Sequence, residues 1–314
     1  LKISLVVPVF NEEEAAPIFH RELQAIPGLE AHSLEIIFVN DGSRDQTEAV
    51  IADLAIRDPR IILINFSRNF GKEPALLAGI EAATGDVVIP MDVDLQDPLE
   101  LLPAMIEKYE SGAQVVLARR VDRGNDGFLK RNSASYFYRI INAISDSPVE
   151  ANVGDFRLMS RPVVDAIKRL PENRLFMKGL LSWVGFRTEI VDYSRPARSV
   201  GVSKFNGWKL WNFALEGITS FSSAPLRVWT YIGSTIGAFS IIYAVWIVMV
   251  KVIYGNPVPG YSSLFAAILF LGAVQLIGIG VLGEYIGRIY SEVKRRPRYI
   301  VRSRFTSNSE NLGE

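Results

Sequence analysis

The chain has 314 residues, 34 Lys and Arg against 34 Asp and Glu, 49% hydrophobic residues, two His and no Cys. That length can bury a sizeable core, and the missing Cys excludes a disulfide framework, a thiolate metal site and a Cys nucleophile, while two His leave little room for His-based metal sites or triads. The neutral balance hides a split, because residues 1–225 hold 25 basic and 30 acidic side chains and residues 226–314 hold 9 and 4; the larger part lacks the basic excess of a nucleic-acid binder, so no nucleic-acid partner is expected.

The chain opens on Leu1 rather than Met, as expected of numbering that begins inside the natural chain or after processing. Ile3–Val9 barely reaches the roughly 7–15 apolar residues of a signal-peptide core and runs straight into Asn11-Glu12-Glu13-Glu14, so it reads as a strand. Further apolar runs bounded by turn residues lie at Leu34–Asn40, Ile61–Asn65, Val87–Met91 and Val115–Ala118, with helical spacing between them near 12–25, 45–57, 73–83 and 99–110. This alternation predicts an α/β fold with a mostly parallel, Rossmann-like sheet covered on both faces and ligands at the carboxyl ends of the strands. Those ends read Pro8-Val9-Phe10-Asn11-Glu12, Asn40-Asp41-Gly42-Ser43, Ser67-Arg68-Asn69-Phe70-Gly71-Lys72 and Asp92-Val93-Asp94-Leu95-Gln96-Asp97. Asp92 and Asp94 stand at i and i+2 and share a face of an extended chain. With the Gln96 amide oxygen they suit Mg²⁺ or Mn²⁺ sharing its shell with substrate phosphates, the plain alternative being a solvated acidic loop.

Two later stretches are amphipathic. Leu129, Phe137, Ile140, Ile141 and Ile144 share a helical side within about 128–145, and Trp208, Trp211, Leu215 and Ile218 do so within 206–225. Both are expected to lie along a bilayer interface, ordinary packing on the sheet being the alternative. Val228–Val250 and Val252–Gly283 are free of charge, and roughly 20 apolar residues cross a bilayer. Two transmembrane helices are predicted, about 228–252 and 263–287. A GxGxxG match at Gly278, Gly280 and Gly283 follows no strand and reads as close helix packing, with homo-oligomerisation a possible use. Arg288, Lys294, Arg295, Arg296, Arg298, Arg302 and Arg304 then place the C-terminus on the cytoplasmic side, and residues 1–225 with it. The expected divisions are 1–205, an interfacial helix over 206–225, a hairpin over 226–288 and a basic tail over 289–314.

The four strand-end motifs, read through Arg44-Asp45 and Pro98, together resemble glycosyltransferase family 2. More narrowly they resemble its polyprenyl-phosphate glycosyltransferases, the dolichol-phosphate mannose synthase-like group, with a C-terminal helix pair similar to the bactoprenol-phosphate glucosyltransferase branch. The resemblance covers nearly the whole chain. It implies a GT-A fold in a bacterial plasma membrane and an inverting, metal-dependent transfer of a hexose from a nucleotide sugar. UDP-glucose is the expected donor and undecaprenyl phosphate the expected acceptor, giving a lipid-linked monosaccharide for cell-envelope glycan or O-antigen modification. The resemblance implies that Pro8, Phe10, Glu12, Asp41, Lys72, Asp92 and Gln96 bind the donor, and that Asp92, Asp94 and Gln96 hold the metal. Arg119, Arg131 and Ser135, with Arg198, Ser203 and Lys204 of a closing loop, would hold the acceptor phosphate. Val202 stands where that loop often carries Glu. Asp155, with Asp94 and Arg131, completes the implied catalytic group. A phosphate monoester is largely ionised at neutral pH, its second pKa being about 6, so Asp155 is expected to position rather than deprotonate the acceptor.

Two rivals stand beside this reading. A processive polysaccharide synthase would need a QxxRW-type element, which the sequence lacks. A nonenzymatic membrane scaffold would not need Asp92, Asp94, Arg131 and Lys204.

Overall fold

The computed structural model describes residues 1–121, 153–170, 185–193, 224–254 and 260–307, which fall into two compact units. The first runs β1 (Lys2–Val9), α1 (Ala15–Gln24), β2 (Ser33–Asn40), α2 (Thr47–Arg57), β3 (Ile61–Phe66), α3 (Lys72–Ala82), β4 (Val87–Pro90), α4 (Leu102–Glu110), β5 (Val115–Arg120), β6 (Val153–Ser160), α5 (Arg161–Lys168) and β7 (Thr188–Tyr193), and it regains the chain at β8 (Val301–Thr306).

The eight strands form one sheet in the order β7-β5-β6-β4-β1-β2-β3-β8. β1 pairs in parallel with β2 and β4, β2 with β3, and β5 with β7. Only β6 and β8 run against the rest, so the expected mostly parallel sheet is present. The chain leaves β1 through β2 and β3 on one side and returns to β4 on the other, which puts a topological switch point between β1 and β4. Alternating side chains feed two cores. Ile3, Leu5 and Val7 of β1 join Phe19, Ile51 and Met105 of the α1, α2 and α4 layer. Val6 joins Ala75, Leu76, Ile80 and Val163 of α3 and α5 on the other face. Burial on both faces explains why the central strands read as unbroken apolar runs.

β8 was not anticipated. It pairs antiparallel with β3, and Tyr299 before it stacks on Phe66 at 4.9 Å and donates its hydroxyl to Glu81. Arg298 donates to the Leu170 carbonyl at 2.7 Å, and Arg302 pairs with Glu48. The segment read as a basic topology tail thus covers an open sheet edge, which would otherwise present unpaired backbone groups. Its alternation of Val301, Ser303 and Phe305 with Arg302 and Arg304 is the strand signal that the charges mask.

The second unit holds α6 (Ala224–Tyr254) and α7 (Tyr261–Val293). Among the described residues, Phe270–Val293 is the helical stretch long and apolar enough to cross a membrane by length and composition, and little of it is buried. Gly278 takes the Trp229 indole against its backbone, whereas Gly280 and Gly283 meet nothing within 4 Å. One glycine of the three therefore serves the helix contact expected of the motif. The amphipathic stretches at about 128–145 and 206–225 lie outside the described residues.

Candidate active site

The loops leaving β1 and β2 are tied together by side chains that accept or donate across them. Asn11 N–H donates to Ser43 Oγ at 2.9 Å, and Arg44 N–H returns a bond to Asn11 Oδ1 at 2.9 Å. Glu12 N–H donates to Thr47 Oγ1 at 2.8 Å, and Gln46 N–H to the Glu13 carboxylate at 2.7 Å. Asn11 adopts a left-handed φ of 55°, which Asn tolerates better than most residues. Leu95 shares that φ of 55° in the loop after β4, a costlier conformation for a branched side chain.

The loop after β3 is fastened to β2 by Asp41. Its buried carboxylate accepts Phe70 N–H at 2.6 Å and Gly71 N–H at 2.9 Å. Burial pushes the Asp41 carboxyl above its ordinary value against the opposing pull of those two bonds. Gly42 permits the approach: at φ +68° it is left-handed, and a Cβ there would stand 2.5 Å from the Arg68 carbonyl carbon and 2.7 Å from the Asn69 nitrogen. Below this, Asn40 Nδ2 donates to Asn65 Oδ1 at 2.9 Å, joining the ends of β2 and β3.

These loops and the β4 loop enclose a cleft of about 320 Å³, lined by Pro8, Val9, Phe10 and Glu12 from β1, Asp41, Asn69, Gly71, Lys72 and Ala75, and Asp92, Val93 and Asp94. It sits at the carboxyl end of the switch point. Glu12 is raised above its ordinary value, first by burial and then by the neighbouring Asp94, Asp45 and Asp92 carboxylates. Against this crowd of negative charge stands the ammonium of Lys72, the first residue of α3. It lies 2.6 Å from Asp92 Oδ1 and 3.0 Å from Asp155 Oδ2. Burial works against that ammonium, and the two carboxylates outweigh it, raising its pKa.

Asp155 reaches the cleft from β6, the strand beside β4. Its backbone is held by Arg157, which is 4% exposed and donates to the Gly154 carbonyl at 2.7 Å and the Asp155 carbonyl at 3.4 Å. Burial lowers the Arg157 pKa to about 10, with Asp155 opposing the drop.

The structure brings together Pro8, Phe10, Glu12, Asp41, Lys72, Asp92 and Asp94 on one cleft and joins Asp155 to it through Lys72. Gln96 is not among the lining residues; its N–H donates to Asp94 Oδ1 at 3.1 Å. Arg119 makes a two-bond pair with Asp192 of β7 at 2.7 and 2.9 Å. Arg131, Ser135, Arg198, Ser203 and Lys204 lie outside the described residues. Among the described residues, no three His, Cys, Asp or Glu side chains are grouped to hold a metal ion. Sequence reasoning missed the loop- and strand-holding hydrogen bonds of Ser43, Thr47 and Arg157. Polar residues just past strand ends were the available signal for the first two.

Residues 4–168 match the family described as Glycosyl transferase family 2, and residues 224–289 match the GtrB C-terminal hairpin. The chain is 60% identical over 304 residues to the bactoprenol glucosyl transferase of Shigella phage SfX, covering 97% of this chain and 100% of the relative. It is 59% identical to a prophage bactoprenol glucosyl transferase homolog of Escherichia coli K12, over 96% of this chain and 99% of that one. Among solved structures, the mannosyltransferase PcManGT of Pyrobaculum calidifontis, in complex with GDP-Man and Mn²⁺, shares the fold at 15% identity and a TM-score of 0.50, over 94% of this chain and 88% of that chain.

Proposed function

From the premise that the chain belongs to glycosyltransferase family 2, we propose that it transfers glucose from a UDP-sugar to the phosphate of a polyprenyl phosphate, undecaprenyl phosphate being the best fit. The observation that carries the proposal is the Lys72 bridge. One ammonium holds Asp92, from the donor motif after β4, and Asp155, from the motif assigned to the acceptor, within 3.0 Å. On this reading the donor and acceptor ends of the reaction meet at that ammonium. The names of relatives at about 60% identity over nearly their whole length support the sugar and the lipid.

On this reading Phe10 and Glu12 receive the nucleoside, with Glu12 on ribose hydroxyls, and Pro8 shapes the floor. Asp41 serves the base side while its carboxylate fixes the loop that presents Gly71 and Lys72. Asp92 and Asp94, with Gln96, would hold Mg²⁺ or Mn²⁺. The donor set fits, since hard carboxylate oxygens suit these ions, both carboxylates line one cleft, and Asp92 already draws an ammonium. The ion, when bound, withdraws charge from the departing nucleoside diphosphate. Asp155 orients the incoming acceptor, Arg119 at the neighbouring β5 end is one donor to its phosphate, and Arg131, Ser135, Arg198, Ser203 and Lys204 are the others. A lipid acceptor requires the cleft to work at a membrane. We read α6 and α7 as a transmembrane pair with the strand-bearing unit cytoplasmic, on their apolar composition and the hairpin match over 224–289.

The test is sugar transfer from a panel of labelled nucleotide sugars to polyprenyl phosphate, in detergent, with and without Mg²⁺ or Mn²⁺. A single metal-dependent, lipid-linked glucose is expected. Long glycan products would instead identify a processive synthase, and folded protein inert with every donor would sink the enzymatic reading.

A further inference from the structure

Lys72 occupies a place that helix formation does not explain. It is the first residue of α3, after Gly71 at the N-cap, where the helix dipole disfavours a cation. The compensation is its two carboxylates. Asp92 Oδ1 and Oδ2 lie 2.6 and 2.9 Å from the ammonium, and Asp155 Oδ2 lies 3.0 Å from it. Asp92 is also a ligand in the metal site proposed above, so the ammonium and a divalent ion draw on the same oxygens.

We propose that Lys72 is the counter-ion that holds Asp92 and Asp155 together until a divalent ion and a diphosphate bind, and that its transfer to the diphosphate strengthens the coupling between the two. This rests on the metal reading of Asp92 and Asp94. Three features decide which partner moves. The Lys72 side chain is 44% exposed on a flexible four-carbon stem. Asp155 is fixed from behind by Arg157, whose buried guanidinium grips the carbonyls of Gly154 and Asp155. Asp92 directly follows the fully buried Val88 and Ile89 of β4 and Met91, which is 1% exposed. The carboxylates therefore stay and the ammonium swings. Without a diphosphate the ammonium competes with the metal. With one, it has a second anion to move to, Asp92 is released to the ion, and each ligand tightens the other by the same factor.

The test measures Mn²⁺ affinity of the full-length protein in detergent by paramagnetic resonance titration, with and without saturating UDP. Wild type, K72M and K72Q are compared, two neutral variants guarding against one that folds poorly. Wild type should bind Mn²⁺ weakly alone and roughly five- to tenfold more tightly with UDP, at the lower end of ordinary coupling between sites. Both variants should bind Mn²⁺ more tightly than wild type without UDP, and the gain from UDP should fall below the wild-type gain without vanishing, since the diphosphate oxygens also enter the shell of the ion. Unchanged Mn²⁺ affinity and unchanged coupling in both variants would overturn the role of Lys72 while leaving the metal site standing. Wild type that binds UDP and never Mn²⁺ would overturn the metal reading and this inference with it.

Discussion

Gly42 and Gly28 both occupy the left-handed region, at φ +68° and +88°, but only Gly42 is crowded. An alanine at Gly28 meets nothing within 4 Å, so G28A should cost only the backbone penalty, roughly 1–2 kcal/mol, less a few tenths for the stiffer unfolded chain. G42A carries the same penalty and a second one. Its Cβ would lie 2.5, 2.7 and 2.9 Å from backbone atoms of Arg68 and Asn69, where ordinary contact begins near 3.4 Å. Backbone cannot rotate aside as a long side chain can, so the loop after β3 must retreat by close to an ångström. Overpacking of this kind adds about 1–3 kcal/mol. The retreat also stretches the bonds from Phe70 and Gly71 to Asp41, which place Lys72 in the cleft. G42A should therefore melt several degrees below G28A, at about 2–4 °C per kcal/mol for a unit of 150–250 residues. Its KM for the nucleotide sugar should rise on the order of tenfold, equivalent to about 1.4 kcal/mol, while G28A leaves KM unchanged. Thermal unfolding and transfer kinetics of the two full-length variants decide the matter. Equal melting temperatures and equal KM values would refute the claim that close approach, rather than φ alone, demands glycine in the Asn40-Asp41-Gly42-Ser43 motif.

D92N should fold normally and lose transfer by roughly 10²–10³ in kcat, the usual effect of removing one electrostatic element of a transition-state site; unimpaired turnover would dismiss the β4 loop as the catalytic edge. Burial raises the Glu35 carboxyl, but bonds from Ser4 and Thr84 and the charge of Lys2 outweigh it and leave the pKa lowered. Its stabilising contribution is thus complete above the ordinary value of 4.5 and lost as pH falls through the folded value, so melting curves from pH 7 down to pH 3 should show a steeper decline in wild type than in E35Q. Y299F removes the hydroxyl that Tyr299 donates to Glu81 and should destabilise the strand-bearing unit by about 1 kcal/mol, read by chemical denaturation; no change would mean that the hydroxyl adds nothing to the backbone pairing, the Phe66 stack and the Arg298 and Arg302 contacts that hold β8.

How much was legible in the sequence follows from which physical signal each element carries. β1 to β5 are buried on both faces, so each is an unbroken apolar run with turn residues at its end, and the expected spans fall within a residue or two of those observed. β6 is different: Gly154, Asp155 and Arg157 interrupt it, because one end of that strand builds the cleft rather than the core. β7 is half-buried at the sheet edge and carries Thr188, Glu189 and Asp192, and β8 carries two arginines. Edge strands are meant to look unlike strands. The carboxylates of the cleft were readable because they stand at strand ends. The bond from Lys72 to Asp155 was not, because 83 positions separate the two and only the reversed pairing of β6 with β4 closes that gap.

The charge of the cleft gives the physical argument for the divalent ion in the proposed function. Among the described residues that line it, Glu12, Asp41, Asp92 and Asp94 stand beside one ammonium, that of Lys72. A nucleoside diphosphate entering this wall would meet like charges at short range, in a partly desolvated site where such repulsion is poorly screened. Glu12 is raised in the same sense, by burial first and then by Asp94, Asp45 and Asp92. Lys72 alone cannot reverse it, since one positive charge is shared between Asp92 and Asp155. Purely recognising a diphosphate would favour Arg and Lys over carboxylates at these positions. Carboxylates at the end of β4 make sense when a cation stands between them and the diphosphate, so that the same acidic groups that repel the donor alone become the support for the ion that receives it.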